Sequence, residues 1–378
     1  MIKRFLIGTS ALIAVGTLAG AAQAADPIKL SVGGKMNQWL SFADVKDKVT
    51  TKYNHVAVNS DTEVHFKGET VLDNGLKVEV VIEHEAERTD ATARNANQQY
   101  AQLSGGWGAL RIGETMNAAN RVHNQAPGAG AGMGDAITIL GIQPVSGTVT
   151  SMTDGQTSVD GIASVGISAT SIDYVSPMFG PFAFGLTYTP HGGNRGLAVE
   201  GNSIKDLMGV AFVYADKWGP VAVNADVAWA RADHETVGTQ NGMLHGIPVG
   251  VKFGFAGFEV GGSYFRIMDN VKALRSAANA NAATSFDGVA WDAGISYTMG
   301  DWKLGYTYFT SKHEGDVDTK TKDTAKVHNA GVAYTMGPGV SVSANGVYTA
   351  FADEAVVATT ATHKSRTYGL ITGIQLTF

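Results

Sequence analysis

The chain has 378 residues with a formal net charge of −6, 47 glycines, 9 prolines and no cysteine. The acidic balance argues against a nucleic-acid partner, because nucleic-acid binding calls for a basic face. Without cysteine the chain has no disulfide framework. Many glycines and few prolines favour a β-rich protein over a helical one.

The N-terminal segment 1–24 is predicted to be a cleaved signal peptide. Lys3 and Arg4 precede an apolar run, and Ala22-Gln23-Ala24 has the A-x-A pattern of a cleavage site. A membrane anchor is the alternative, but the run is shorter than the roughly 20 residues that span a bilayer. Cleavage would leave 25–378 as a single domain and remove two positive charges, so the net charge of −6 would become −8.

Short runs of alternating apolar and polar residues follow along the chain. Ile28, Leu30 and Val32 alternate with polar or small residues, and the last run, Tyr368 to Phe378, is apolar at five of its six even positions. Ile371 is an exception at an odd position. A period of two is typical of a strand with one apolar and one polar face. At about ten residues each, such strands match a tilted bilayer crossing.

Short turns and long polar loops alternate between these runs. The seven turns, built from Gly, Pro, Asn and Asp, are 73–75, 105–108, 178–181, 217–220, 255–257, 299–301 and 336–339. The eight loops are 43–60, 86–97, 114–171, 190–205, 231–241, 268–287, 311–326 and 350–364. The pattern predicts an all-β fold, a transmembrane antiparallel β-barrel of 16 strands with short periplasmic turns and long extracellular loops. A secreted sandwich also explains the alternation, but not the asymmetry of the connections.

Aromatic residues are predicted to form two belts at the membrane interfaces. Near the short turns lie Trp107, Phe179, Phe182, Trp218, Phe255, Phe258, Trp302 and Phe378. Near the long loops lie Phe42, Tyr264, Tyr308, Phe309, Tyr348 and Phe351. The alternative is that aromatic residues are simply common in strands.

Catalytic motifs are not found in the sequence, which has no H-E-x-x-H, no G-x-S-x-G and no phosphate loop. The protein is therefore predicted not to be an enzyme and to bind no metal or cofactor. Six loop histidines are predicted to be solvated, since no metal-ligand spacing links them: His55, His123, His191, His234, His313 and His363. His65 is predicted to face the lumen.

The segment 114–171 shows almost no alternation and is rich in Gly, Ala, Ser and Thr. A loop this long in a compact domain is usually functional. On the first, second, third and fifth strands, alternation places charged residues on the polar face: Lys35, Glu63, Lys67, Glu69, Glu79, Glu83 and Arg111. Facing a lumen these charges cost little, whereas a Lys or Arg facing lipid at the midplane costs about 2–4 kcal/mol.

Several stretches carry a family resemblance. They are Leu72-Asp73-Asn74-Gly75-Leu76, Gly105-Gly106-Trp107-Gly108-Ala109-Leu110-Arg111-Ile112-Gly113, Ile172-Asp173-Tyr174-Val175-Ser176-Pro177, Phe182-Ala183-Phe184-Gly185-Leu186-Thr187-Tyr188-Thr189-Pro190 and the C-terminal strand ending in Phe378. In this order they resemble the general porins of the Gram-negative outer membrane, in particular those of alphaproteobacteria. The resemblance implies a homotrimer in outer-membrane lipid, recognised by the outer-membrane assembly machinery through its last strand.

The resemblance also implies that the long third loop folds into the lumen, with its acids facing basic residues on the wall. The loop acids are Glu114, Asp135, Asp154 and Asp160, and the candidate bases are Lys35, Lys67, Arg111, Arg88 and Arg94. A transverse field of this kind would orient passing polar solutes.

The expected function is passive diffusion of small hydrophilic solutes and ions, with a weak cation preference because acids are in excess. A solute-selective porin is one alternative. A surface adhesin or structural barrel is another, and an outer-membrane hydrolase is a distant third because no nucleophile constellation is found.

Overall fold

The computed structural model describes residues 27–46, 54–86, 96–140, 169–191, 202–236, 240–269, 272–273, 287–313, 322–352 and 364–378. The predicted signal peptide and four predicted site residues, Arg88, Arg94, Asp154 and Asp160, lie outside the described residues. Within the described ranges, no helix is long and apolar enough to cross a membrane.

Strands make up most of the described chain. They are β1 (Lys29–Lys46), β2 (Val56–Val71), β3 (Lys77–Glu85), β4 (Ala96–Gly105), β5 (Gly108–Glu114), β6 (Thr170–Val175), β7 (Phe182–His191), β8 (Asn202–Trp218), β9 (Val221–Thr236), β10 (Gln240–Phe255), β11 (Phe258–Asp269), β12 (Lys272–Ala273), β13 (Gly288–Met299), β14 (Trp302–His313), β15 (Asp323–Gly337), β16 (Val340–Ala352) and β17 (Lys364–Thr377). Two short helices, α1 (Ala118–Val122) and α2 (Met133–Leu140), lie between β5 and β6.

These strands form a closed antiparallel barrel of sixteen strands. Each long strand pairs with the next, and β1 pairs with β17 to close the ring. The two-residue β12 only lengthens the ladder by pairing with the start of β10. All seven predicted turns join consecutive strands, so the predicted barrel is confirmed. Several strands are longer than expected, because ladders such as that of β1 and β2 continue into a stretch predicted as loop.

The turn between β10 and β11 shows how a short connection is made. Ala256 and Gly257 have φ values of 50° and 86°, and a two-residue type I′ turn requires positive φ at both positions. The turn's twist matches that of the strands, so Phe255 and Phe258 pair directly beside it.

Alternation separates an apolar outer face from the inner face. On β17, Tyr368, Leu370 and Ile374 are 37–54% exposed, whereas Thr367 and Ile371 are fully buried. Exposed apolar side chains of this kind are what a membrane barrel presents to lipid.

All eight aromatic residues predicted beside the short turns are exposed. Toward the long loops, the assignment of Phe309 and Phe351 to the outer belt is wrong, since they are 0% and 6% exposed. Neighbouring residues of a strand point to opposite faces, so Tyr308 and Phe309 cannot both face lipid.

The main hydrophobic core lies on the inner face, between the barrel wall and α2. Its buried members are Trp39, Ala131, Ala136, Ile137, Ile139, Leu140, Ala230, Phe265, Ala290, Phe309, Ala325, Val327, Val347, Phe351 and Ile371. This core explains why Ile371 breaks the alternation of the last strand, because its side chain faces packed protein.

Candidate functional site on the inner face of the barrel

The described portion of the long segment, residues 115–140, begins with a helix held against β6 and β7. Asn117 caps α1 by accepting the Asn120 N–H at 2.8 Å. The Ala118 N–H is shared between Asp173 at 3.1 Å and Thr187 at 2.8 Å. The start of α1 is therefore fixed to polar side chains of the wall.

Two aspartates hold the residues that follow α1. Asp226 of β9 accepts hydrogen bonds from the His123 ring and from the Asn124 N–H, both at 2.7 Å. Asp292 of β13 accepts the Ala126 N–H at 3.2 Å. The prediction that His123 is solvated is wrong, because its side chain is 2% exposed and anchors the segment to the wall.

His191 also differs from its predicted solvated state. It ends β7 and is 8% exposed. His55 is exposed, as predicted.

Two asparagines hold the next residues of the segment. Asn345 accepts the Ala131 N–H and donates to the Ala129 carbonyl, both at 2.9 Å. Asn329 donates to the Ala131 carbonyl at 2.8 Å and accepts from Asn345 at 2.8 Å. Both asparagines are buried, so breaking these bonds would leave polar groups without water or protein partners.

Glycines on the inner face let the segment lie directly on the wall. A Cβ at Gly331 would lie 2.1 Å from the Ala129 carbonyl oxygen, and a Cβ at Gly305 would lie 2.6 Å from the Ala129 nitrogen. Real Cβ contacts are essentially never closer than 3.0 Å, so neither position admits a side chain unless the segment moves. Four more glycines lie under the same segment: Gly185, Gly250, Gly294 and Gly369. We call these six residues the glycine track.

The helix α2 packs against the strands that close the ring. Ile137, Ile139 and Leu140 are 3–6% exposed within the core. The Ile139 carbonyl accepts from Asn59 of β2 at 2.5 Å and from Ser41 of β1 at 3.3 Å. Residues 118–140 therefore contact inner-face residues from β6 and β7 through β17 to β1 and β2.

The inner face of β1–β5 carries a different surface, which we call the charged wall. Its members are Lys35, Asp61, Glu63, His65, Lys67, Glu69, Lys77, Glu79, Glu83, Glu85 and Arg111. We call the part nearer the short turn 73–75 the lower half of this wall and the part nearer the long loops the upper half. In the lower half Glu69 stands opposite Glu79. Lys67 lies 3.2 Å and 3.0 Å from these two acids, and Lys77 lies 3.1 Å and 3.5 Å from them. The repulsion of facing acids is therefore offset by two shared lysines.

In the upper half of the charged wall, Lys35 forms ion pairs with two acids. Lys35 lies 3.0 Å from Asp61 and 3.1 Å from Glu63. The His65 ring lies 2.7 Å from Glu63. The predicted bases Lys35 and Lys67 are thus paired with acids of their own wall.

Arginines border the wall at β5 and α1. Arg111 stacks on the Tyr100 ring at 4.3 Å from its centroid, and its Nε donates to Gln102 at 2.7 Å. Burial lowers the pKa of Arg121 to about 10, and repulsion from Arg111 adds to the fall while Asp173 opposes it. Arg121 therefore remains charged at neutral pH.

The prediction that Glu114 lines a constriction is wrong. Glu114 stands opposite Gln99 and accepts its amide at 2.9 Å. Gln102 and Arg111 form the facing pair three positions away on the same two strands. Because side chains alternate, Glu114 points to the opposite face from Arg111.

Asp135 is a predicted loop acid that does lie near the charged wall. It is exposed on the first turn of α2. Desolvation of its carboxyl by the surrounding protein raises the pKa of Asp135, and repulsion from Asp61 adds to the rise. A backbone hydrogen bond from Gly132 and the charge of Lys35 oppose it.

Sequence reasoning missed the residues that hold the segment. They are Asp173, Asp226, Asp292, Asn329, Asn345 and the glycine track. In the sequence each stands at a polar position of an alternating strand, where a solvated lining gives the same pattern. A signal was available in the glycines, which recur at inward positions of six strands.

A closed antiparallel barrel with an apolar outer face, exposed aromatic belts and a charged inner wall defines a transmembrane β-barrel protein. A family model described as Gram-negative porin matches residues 8–354. The chain belongs to the Gram-negative porin family. It is an outer-membrane protein of the channel-forming type.

Solved structures agree with this fold. An anion-selective porin from Comamonas acidovorans is 16% identical, with a TM-score of 0.63 over 93% of this chain and 100% of that one. The trimer form of OmpT from Vibrio cholerae is 14% identical, with a TM-score of 0.61 over 93% and 100%. OmpF from Salmonella typhi, in complex with daunomycin, is 16% identical, with a TM-score of 0.59 over 93% and 98%. Among curated proteins, no sequence match is found.

Proposed function

We propose that this porin is a general diffusion pore for small hydrophilic solutes and ions, with a weak preference for cations. One observation carries the proposal: residues 118–140 contact the inner face from β6 and β7 to β17 and beyond, whereas the charged wall lies on β1–β5. The solute path then runs between this segment, which forms the constriction, and the charged wall.

The cation preference follows from the composition of that wall. Within it, six carboxylates face four Lys and Arg side chains. Low-dielectric barrel walls focus the resulting field into the lumen, so cations are enriched there relative to anions.

Planar-bilayer recordings across a salt gradient test the preference. We expect a reversal potential of cationic sign, which salt should reduce because it screens the wall charges. An anionic sign would contradict the proposed preference. Swelling of liposomes in small sugars tests the pore itself, and no swelling would contradict diffusion altogether.

Deleting Ala129 to Ser158 tests the constriction. The deletion removes the residues bonded to Asn329 and Asn345 together with α2. We expect a larger single-channel conductance than that of the wild type. An unchanged conductance in a correctly folded barrel would show that the segment does not narrow the pore.

We further propose a homotrimer of the alphaproteobacterial general-porin type. The short strands β5 and β6 have seven and six residues, and six residues rise only about 20 Å before tilt. This is less than the roughly 25 Å apolar band of a membrane barrel requires once strands tilt. A neighbouring subunit would cover this sector, including the outward Glu114 and Gln99. Light scattering of the folded protein should give three times the chain mass, and a monomer mass would contradict the proposal.

The C-terminal residue is the proposed contact for the assembly machinery. Phe378 exchanges backbone hydrogen bonds with Gly34 at 2.8 Å and 3.1 Å, and its ring is about half exposed. We expect deletion of Phe378 to lower the amount of folded protein in the outer membrane. If the variant without Phe378 reached the same amount of folded protein as the wild type, Phe378 would have no role in assembly.

A further inference from the structure

The upper half of the charged wall brings nitrogen and oxygen donors together on two neighbouring strands. Glu63 and His65 are two positions apart on β2, so both point inward. On β3, Glu83 stands opposite His65 and Glu85 stands opposite Glu63. The donor atoms of Glu63, His65 and Glu83 all lie within 4.8 Å of one another.

A second set of donors overlaps the first. Asp61, Glu63 and Glu85 also bring their carboxylate oxygens within 4.8 Å of one another. Glu63 belongs to both sets, and its side chain is only 7% exposed. A carboxylate this deeply buried gains more from a cation than one that water already surrounds.

The lower half of the same wall provides an internal comparison. There, the facing acids Glu69 and Glu79 are each contacted by both Lys67 and Lys77. In the upper half, Lys35 contacts Asp61 and Glu63. Glu83 accepts instead from Gln98, a neutral amide, at 2.8 Å.

Among the described residues, the upper half carries four carboxylates, on Asp61, Glu63, Glu83 and Glu85, and one lysine.

We propose that Glu63, His65 and Glu83 bind a divalent transition-metal ion of the Zn²⁺ class at the wall of the lumen. Imidazole nitrogen with carboxylate oxygens suits zinc and similar ions, whereas calcium and magnesium favour sites made of oxygen alone. Three protein ligands leave a coordination position open to water or a passing solute, as in other open zinc sites.

The geometry needs only side-chain rotation to accept the ion. Ligands at about 2.1 Å from a tetrahedral zinc are about 3.4 Å apart, and the backbone positions are fixed by the β2–β3 ladder. His65 would exchange its hydrogen bond to Glu63 for the metal, and it must be neutral to do so. Binding should therefore weaken as pH falls and His65 becomes protonated.

Calorimetric titration of the folded full-length barrel in detergent with zinc chloride tests the site. We expect one zinc per chain, with an affinity lower by about tenfold or more in His65→Asn and Glu83→Gln. His84→Asn is the matched control, because His84 lies beside Glu83 on β3 but is exposed on the outer face. Heat-modifiable gel mobility confirms that each variant is folded.

Three outcomes would overturn the proposal. They are no saturable zinc binding by the wild type, equal binding by His65→Asn, and calcium binding as tight as that of zinc. The site's position in a lumen rests on the proposed pore, but the titration does not use conductance. A barrel that admits sugars and binds no zinc would refute only the metal site, and a zinc-binding barrel that admits none would refute only the pore.

Discussion

The two sides of the inner face differ in what lies against them. From β9 to β17 many inward residues are apolar, amide or glycine, and together with Asp226 and Asp292 they hold residues 118–140 against the wall. On β1–β5 the inner face carries the charged wall, whose members pair mainly with each other. Alternation thus identifies the inward face of a strand, whereas the residue types on that face indicate whether protein or water lies against it.

The largest expected effect comes from opening a cavity in the covered side. Phe309→Ala should lower the free energy of unfolding by about 3–5 kcal/mol, because the ring is fully buried in the core. Leu304→Ala on the same strand is the control, since Leu304 is 48% exposed on the outer face. Denaturant unfolding of the two folded variants measures both costs. Equal costs would contradict the packed interior of the covered side.

A smaller effect follows from overfilling the glycine track. Gly331→Val should destabilise the protein by about 1–3 kcal/mol and displace Ala129, which raises single-channel conductance. Gly346→Val is the control, because a Cβ at Gly346 meets nothing within 4 Å. Wild-type conductance and stability in Gly331→Val would mean that the segment does not rest on this glycine.

The charged side should respond in selectivity more than in stability. Glu83→Gln removes a lumen charge, and a charge roughly 8 Å from the ion path in water is worth about 0.5 kcal/mol, so the cation-to-anion permeability ratio should fall about twofold to fivefold. Glu114→Gln should leave the ratio unchanged because Glu114 faces away from Arg111. Reversal potentials of both variants measure this. An equal fall in both would place Glu114 in the lumen after all.

The smallest expected effect is a pH dependence at the border of the two sides. Because the pKa of Asp135 is raised, its negative charge is lost at a higher pH than that of an ordinary carboxyl as the solution is acidified. On acidification, the cation preference should therefore begin to fall at a higher pH than ordinary carboxyls alone would give. In Asp135→Asn this first step should be missing from reversal potentials recorded across the pH range. A profile identical to that of the wild type would remove Asp135 from the ion path.

The sequence predicts the barrel well because turns and alternation are local signals. Residues such as Ala256 and Gly257 set the chain reversal by their own backbone preferences. Strand ends are predicted less well, since residues at the edges of the predicted loops still pair when a neighbouring strand is present, as in the upper ladder of β1 and β2.

The candidate site is predicted only partly. The charged wall follows from alternation, but its lateral pairs, such as Lys35 with Asp61, depend on register between strands. The burial of Phe309 depends on a segment distant in sequence, and that of His123 depends on Asp226 of β9, so no local pattern could reveal either.

The contacts of residues 118–140 with distant strands also bear on the order of folding. Ala131 bonds to Asn345, 214 positions away along the chain, and Ile139 bonds to Ser41 on the first strand. Asn345 on β16 and Ser41 on β1 come close to each other only when β1 has paired with β17. We therefore expect residues 118–140 to complete their docking after ring closure, because contacts of such long range carry a large loop-closure entropy and form slowly. Protection of this segment from proteases should accordingly appear as a late event of biogenesis.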